Sequence, residues 1–184
     1  MENFKIRYYR ECTDLRTIYE NYCLIAGRTV AYYLSGASPY LTLEDFSNLL
    51  RKENEQTYCP FIVVSLEDHP IGIARTSKLD RRCRHYHVSV YLWENVGRTE
   101  AVLRRILDTV LSGTANMVIC QIPGYQTEFL TAARNVGMIQ AGCIPDYIFY
   151  KSVDGAPDIW PEYTFIMKMQ EWAVQKESGD CYDL

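Results

Sequence analysis

The apolar positions of the chain recur at two spacings, every second residue and every third or fourth residue. Apolar and polar residues alternate over residues 4–9 and 84–93, and this period of two predicts β-strands. Short, mostly apolar runs predict strands that are buried on both faces. Together the two signals predict seven strands, over residues 4–9, 60–66, 71–74, 84–93, 116–122, 138–151 and 163–169.

Helical spacing separates several of these strands. It predicts helices over residues 13–33, from 42 onward, from 99 to a stop at Gly113, and over 126–135, with Gly137 closing the last one. Thr42 is expected to cap the second helix, and Glu44 and Asp45 lie in its first turn. The third helix carries a continuous apolar stripe of Val102, Leu103, Ile106, Leu107, Val110 and Leu111.

The order of these elements is β-α-α-β-β-β-α-β-α-β-β. This order predicts an α/β (α+β) fold with a mixed, mostly antiparallel sheet of six to seven strands and helices on both faces. The chain has 184 residues and contains no repeat and no Pro/Gly/Ser linker, so we expect a single domain over residues 1–175. Residues 176–184 are polar and are predicted to be a disordered tail.

Charge and cysteine content narrow the classes of partner. The formal net charge is −4, which argues against nucleic acid as a partner because phosphate binding needs a concentrated positive field. No apolar run reaches the ~20 residues of a membrane helix, so no membrane association is expected. The seven cysteines are an odd number without a CxxC pair, and several of them, such as Cys120, sit inside apolar runs. This pattern predicts reduced thiols that act there as small hydrophobes in a cytoplasmic protein. The His and Cys spacings predict no metal site.

The loop between the fourth strand and the third helix is the best candidate for ligand chemistry. It runs from Trp93 through Gly97 and Arg98 to a helix start near Thr99. A helix start presents unpaired N–H groups and the positive end of the helix dipole, which together suit a phosphate or pyrophosphate. The alternative interpretation is an ordinary strand-to-helix turn with a loop glycine, because one glycine makes no phosphate motif.

Over nearly its whole length the chain resembles the GNAT superfamily of N-acetyltransferases. The element order carries the resemblance, together with a helix followed by Gly137, Met138 in the position of the family's Phe, and Gly142. The similarity is closest to the ribosomal-protein-type subgroup, through the residues Ile71-Gly72, Thr99-Glu100-Ala101, Tyr150, Asp154-Gly155, Asp158, Tyr163 and Glu171-Trp172.

The resemblance implies that acetyl-CoA, as co-substrate, binds in an opening between the strands at residues 84–93 and 116–122. The pantetheine arm would pair with the main chain near Val90 and Leu92 and would contact Gln126. The pyrophosphate would lie on a segment that is shorter than the family's loop and degenerate in sequence, made by Val96, Gly97, Arg98 and Thr99. A primary amine would then attack the thioester directly.

Three positions depart from the family's pattern. Gln126 stands where the family has an asparagine that contacts pantetheine, and Phe129 stands where it has a serine. Ala133 stands where the family often has a tyrosine that protonates the leaving thiolate. These departures leave open a second hypothesis, a catalytically weak or inactive GNAT-fold module that binds CoA or a protein.

His87 is the candidate base, because it occupies the position where the subgroup often has a glutamate and because histidine titrates near neutral pH. Tyr91 lies on the same face of the strand and is the substitute acid; His85 also shares that face. Glu94 is an alternative base. The structural interpretation is that the face packs under the first helices and that backbone carbonyls satisfy both histidines.

The acceptor side is built from loops and the first two helices, where the fold carries no information about specificity. A small-molecule amine and a peptide amine therefore both fit the sequence. The oligomeric state stays open, a homodimer included. A third hypothesis, an unrelated α/β binding domain, also stays open, because element order alone does not fix a topology.

Overall fold

The computed structural model describes residues 4–8, 15–26, 42–55, 61–66, 68–80, 82–93, 97–112, 115–151 and 157–177. In these parts of the chain there are seven strands, β1 Phe4–Tyr8, β2 Phe61–Leu66, β3 His69–Asp80, β4 His85–Leu92, β5 Met117–Pro123, β6 Ile139–Lys151 and β7 Pro157–Lys168. The five helices are α1 Leu15–Ala26, α2 Leu43–Glu55, α3 Thr99–Leu111, α4 Thr127–Asn135 and α5 Met169–Glu177. None of these described helices is long and apolar enough to cross a membrane.

The seven strands form one sheet in the order β1-β2-β3-β4-β5-β7-β6. Strands β1 to β4 pair antiparallel, and β7 pairs antiparallel with both β5 and β6. Only β4 and β5 pair in parallel among the described strands, because α3 carries the chain back across the sheet between them. The predicted mixed, mostly antiparallel sheet is confirmed.

One face of the sheet is covered by α3 and α4. The apolar stripe predicted on α3 is buried there: Val102, Ile106 and Leu107 have no exposed surface. On α4, Ala133 is buried and Phe129 and Leu130 nearly so. These helices pack on the even-numbered residues of β4 and β5 in one hydrophobic cluster, hereafter the apolar face of the sheet.

The opposite face meets α1 and α2. Ile18 on α1 and Phe46 and Leu50 on α2 are fully buried. The Phe46 ring lies 5.5 Å from the ring of Tyr19, which joins the two helices. Thr42 caps α2 as predicted, because the Asp45 backbone N–H donates to Thr42 Oγ1 at 3.1 Å and the Thr42 N–H donates to Asp45 Oδ2 at 3.2 Å.

Helix α5 was not predicted from the sequence. It includes Lys176 and Glu177, with which the predicted tail begins, and residues 178–184 lie outside the described residues. The helix buries only Trp172, whose Nε1 donates to Asp108 Oδ1 on α3 at 3.0 Å. A helix that buries one side chain has too weak an apolar periodicity to be recognised from its sequence.

Candidate functional site

Strands β4 and β5 part midway along their length. Their paired residues run from His85 opposite Met117 to Val88 opposite Cys120. Beyond that pair β4 continues to Leu92 and β5 to Pro123, both within the described chain, without pairing with each other. Strand β4 stays attached to β3 through Val90 and Leu92, so the sheet opens only on the β5 side. The opening lies where the resemblance implies it.

A narrow cleft that is open to solvent follows this opening on the apolar face of the sheet. Two of the predicted binding residues, Val90 and Gln126, line it. The other lining residues are Val88, Leu103, Cys120, Gln121, Ile122 and Phe129. The cleft is therefore lined mostly by apolar side chains, with the amide of Gln126 beside them, and suits a narrow, uncharged chain better than a charged group.

Helix α3 begins just past the end of β4. Gly97 has φ +61°, a conformation that favours glycine, and a side chain added there would meet no atom within 4 Å. Arg98 is exposed and is the N-cap residue, although its side chain caps nothing. The first intrahelical bond runs from the Val102 N–H to the Arg98 carbonyl, so the N–H groups of residues 99–101 have no partner within the helix. Val96 lies outside the described residues.

Two carboxylates stand close to this helix start, and sequence reasoning missed both. Thr99, which is nearly buried, donates from Oγ1 to Glu128 Oε2 on α4 at 3.3 Å. Glu100 accepts from Arg104 at 3.0 Å and from Asn135 Nδ2 at 3.0 Å. Acidic groups complement the positive end of a helix dipole, and they compete there with a phosphate. Their pairing depends on the packing of α4 against α3, which no local pattern reveals.

The three positions that depart from the family's pattern all lie on or beside α4. Gln126 is the half-buried N-cap residue of α4 and does not cap it with its side chain. Phe129 faces the cleft, and Ala133 lies fully buried in the hydrophobic cluster. The position of the family's tyrosine is thus filled by packing and offers no proton donor.

His87 projects from the face of β4 opposite the cleft, one residue before the last β4–β5 pair. Its Nδ1 lies 3.5 Å from Ser89 Oγ, and its Nε2 is buried without a hydrogen-bond partner. Burial lowers the pKa of the His87 ring below its usual value; the Gln121 side chain raises this pKa, and the charge of Arg75 lowers it further. A neutral imidazole is the form that can accept a proton.

Two further polar side chains lie on the same face of the sheet as His87, and sequence reasoning did not identify them. Gln121 on β5 donates from Nε2 to Glu162 Oε1 on β7 at 2.8 Å. Glu162 is only 1% exposed, which is rare for a carboxylate. In the sequence both residues are ordinary polar positions of alternating strands, so no signal singles them out.

The remaining candidates for acid and base are placed only in part. The Tyr91 backbone pairs with Ile73 of β3, but its side chain lies outside the described residues. Glu94 lies outside them entirely. His85 is half-buried at the start of β4, opposite Met117, two residues away from His87 along the same face. Only His87 is therefore placed beside the opening with its side chain described.

The described cysteines differ in burial. Cys120 is buried at the last β4–β5 pair, and burial raises its pKa to about 12. The expectation that a cysteine inside an apolar run acts as a small hydrophobe is confirmed for Cys120, whereas Cys83 and Cys143 are exposed. Within the described chain, no three His, Cys, Asp or Glu side chains come together in a way that could hold a metal ion.

Comparison with known proteins places this geometry. No family model and no curated protein matches the chain. A spermidine N-acetyltransferase from Vibrio cholerae in complex with CoA and spermine has a TM-score of 0.74 and 13% identity, covering 92% of this chain and 98% of that chain.

Two further structures agree with it. A spermidine/spermine N-acetyltransferase from Vibrio cholerae, in complex with manganese ions, has a TM-score of 0.71 and 12% identity, over 94% of this chain and 96% of that chain. A proposed acetyltransferase from Acinetobacter baylyi has a TM-score of 0.68 and 14% identity, over 91% and 93%. At such identities the similarity is one of fold, and it covers nearly the whole of each chain. The chain therefore has the GNAT fold of the N-acetyltransferases.

Proposed function

We propose that the protein is an acyl-CoA-dependent N-acyltransferase that moves an acetyl group from acetyl-CoA to a primary amine. The observation that carries this proposal is the parting of β4 and β5 beyond Val88 and Cys120. The parting opens a cleft on one face of the sheet and leaves on the other a half-buried histidine whose Nε2 is buried. The solved structures of similar fold, one of them a CoA complex, support the same assignment.

In this proposal the cleft holds the pantetheine arm. The apolar walls formed by Val88, Val90 and Phe129 exclude water from the thioester, and the unpaired edge of β4 near Val90 and Leu92 supplies main-chain hydrogen bonds. Gln126, at the rim, is one methylene longer than the family's asparagine and offers the same amide group.

The pyrophosphate is assigned to the start of α3. The N–H groups of the first turn and the exposed Arg98 are the donors, and Gly97 leaves room for close approach. The carboxylates of Glu100 and Glu128 are held by Arg104 and Thr99 and weaken the positive field at this point. We therefore expect weaker CoA binding than a glycine-rich loop without acidic neighbours would give.

The chemical step assigns His87 as the general base. The acceptor enters from the face of α1 and α2, where His87 takes a proton from the ammonium group. The free amine then forms the C–N bond with the thioester carbonyl carbon, the C–S bond breaks, and CoA leaves as a thiolate. The thiolate takes a proton from an acid, and the proton that the new amide nitrogen gives up restores that acid. Tyr91 is the proposed acid, because the alternating sequence of this segment predicts that it shares a face with His87.

We assign the acceptor to the class of small-molecule or peptide amines. The proposed reaction uses no metal, and the proposed partners include neither nucleic acid nor a membrane. Spermine is bound in one of the Vibrio cholerae structures, which makes aliphatic polyamines the first acceptors to test. Within the GNAT fold the ribosomal-protein-type subgroup remains our assignment, as does a single domain over residues 1–175. The odd, scattered cysteines support a cytoplasmic address.

The proposal is tested by calorimetry with acetyl-CoA and CoA, followed by thiol release with a panel of polyamines, amino acids and peptide N-termini. We expect both nucleotides to bind and at least one amine to give turnover. His87→Ala should lower kcat by about 100-fold or more, because a general base contributes at least that much. His69→Ala, at an exposed position at the start of β3, is the matched control and should leave kcat unchanged. Absence of binding at high micromolar ligand would remove the proposal.

A second function, CoA binding or protein interaction without turnover, is favoured by one specific observation. Ala133 occupies the position of the family's tyrosine and is fully buried, so no side chain there can protonate the thiolate. Binding of CoA together with no thiol release across the whole panel would select this second function. Turnover that falls in His87→Ala would exclude it.

A further inference from the structure

Three polar side chains lie in a row across three neighbouring strands on the face opposite the cleft. His87 is on β4, Gln121 is on β5 and Glu162 is on β7, and these strands are consecutive in the sheet. Parallel pairing of β4 with β5 and antiparallel pairing of β5 with β7 put all three on one face. Residues separated by up to 75 positions in the chain therefore form a single row, in which Glu162 is buried and His87 and Gln121 are half-buried.

The contact between Glu162 and Gln121 has a defined direction. Gln121 Nε2 donates to Glu162 Oε1 at 2.8 Å. An ionised carboxylate only accepts hydrogen bonds, whereas a carboxamide has a donor end and an acceptor end. The carboxylate thus binds the NH₂ end of Gln121 and directs the carbonyl oxygen, Oε1, away from β7 and back toward β4.

The other end of the row is the His87 ring. Its Nε2 is buried and lacks a hydrogen-bond partner, and its Nδ1 is 3.5 Å from Ser89 Oγ. The charged group that acts on the ring from β3 is Arg75, which lowers the pKa of His87 as burial does. Gln121, from β5, raises this pKa. An amide favours a protonated imidazole only when its oxygen faces the ring. The hydrogen bond from Gln121 Nε2 to Glu162 therefore agrees with the raising effect of Gln121 on the pKa of His87.

We propose that Glu162 is a positioning residue of the active site, which fixes the Gln121 amide so that Oε1 faces the His87 ring and supports the ring when it holds a proton. This inference rests on the proposed function in one respect, that His87 takes the proton from the acceptor. Glu162 itself does not touch the substrate; it acts through Gln121. Burying a carboxylate at 1% exposure is costly, and the positioning of Gln121 is the role that we propose for it.

The test is a histidine titration by NMR on the full-length protein, which holds only three histidines, at positions 69, 85 and 87. Wild type is compared with Glu162→Gln, whose amide can offer either end to Gln121 and therefore lets Gln121 flip. We expect the pKa of His87 to fall in Glu162→Gln. The matched control is Glu177→Gln, the same loss of charge at an exposed position at the end of α5, which should leave this pKa unchanged. Equal values of this pKa in Glu162→Gln and the control would overturn the proposal.

A double-mutant cycle separates positioning from a direct effect of charge. Gln121→Leu should itself lower the pKa of His87, because the supporting oxygen is gone. In the Gln121→Leu background, adding Glu162→Gln should then change nothing. If Glu162→Gln still lowers the pKa in that background, Glu162 acts on His87 directly through its charge and the proposal is wrong.

The titration decides the proposal even if one variant fails to fold or if no amine gives turnover. If Glu162→Gln fails to fold, the single variant Gln121→Leu decides, since an unchanged pKa of His87 there refutes the row. In the enzyme assay, Glu162→Gln should lower kcat by about tenfold, less than loss of the base itself, and should move the acid limb of the kcat/KM profile to lower pH. The titration needs neither CoA nor acceptor, so it stands even if no amine gives turnover.

Discussion

The two faces of β4 and β5 differ in burial and in chemistry. Toward α3 and α4, Val88 and Cys120 lie in a continuous apolar cluster. On the reverse face of the same strands, the half-buried His87 and Gln121 belong to a polar row that ends in the buried Glu162. The apolar face contributes the stability of the sheet, and the polar face holds groups that are costly to bury unless they are hydrogen-bonded.

The same physical effect has opposite signs on the two faces. Burial raises the pKa of the Cys120 thiol to about 12 and lowers the pKa of the His87 ring, because in each case it disfavours the charged form. The result is an inert thiol beside the cleft and a neutral imidazole beside the acceptor side. The low-dielectric centre of the sheet therefore forms an apolar wall of the cleft on one face and surrounds the proposed base, His87, on the other.

The largest effect is expected on the apolar face. Ile106→Ala removes a fully buried side chain from the stripe of α3, and it should lower the free energy of unfolding by about 2–5 kcal/mol. Urea unfolding measures this change. The matched control is Val174→Ala on α5, where the valine is 65% exposed and the expected change is below about 0.5 kcal/mol. Equal losses in the two variants would mean that α3 does not carry the core.

A polar atom placed on the apolar face should lower the free energy of unfolding nearly as much. Cys120→Ser keeps the size of the side chain but buries a hydroxyl among apolar neighbours, which should lower the free energy of unfolding by about 1–3 kcal/mol. The same exchange at the exposed Cys143 is the control and should have little effect. Similar stabilities for both variants would show that the face tolerates polar groups, and the contrast between the faces would fail.

The polar face should reveal itself through pH. Because the pKa of His87 is lowered in the folded protein, the unfolded chain binds a proton first as the pH falls below about 6.5. Stability is therefore lost on acidification, by no more than about 1.4 kcal/mol per pH unit for one proton. His87→Gln removes this loss, so the difference in unfolding free energy between variant and wild type should grow as the pH falls from 7 to 5. A difference independent of pH would contradict the buried, neutral ring.

Most of the fold follows from local patterns. Alternation over residues 84–93 predicts β4 and assigns Tyr86 and Val88 to the apolar side, where they are buried. The stripe on α3 and the cap at Thr42 are equally local and are confirmed. Helix α5 was not predicted, because Trp172 is its only buried residue. A segment that packs through one side chain carries no periodic signal.

The candidate site was predictable only where it lies on one strand. His87 could be identified because alternation predicts its strand, the family resemblance marks its position, and histidine titrates near neutral pH. Its neighbours Gln121 and Glu162 come from two other strands, 41 residues apart, and are brought together by pairing of β5 with β7. The acidic neighbours of the α3 start are likewise set by packing of α4 on α3. Contacts of this kind are determined by tertiary structure rather than by spacing.

The smallest expected effect distinguishes a functional row from a stabilising one. Ser89→Ala removes the hydroxyl whose Oγ lies 3.5 Å from His87 Nδ1, a distance at the outer limit of a hydrogen bond. The free energy of unfolding should therefore fall by no more than about 0.5 kcal/mol, the low end for a lost hydrogen bond. Chemical unfolding at pH 7, where the ring is neutral, measures it. A loss of about 2 kcal/mol would mean that the polar face is held together by its own hydrogen bonds, and its burial would then need no catalytic explanation.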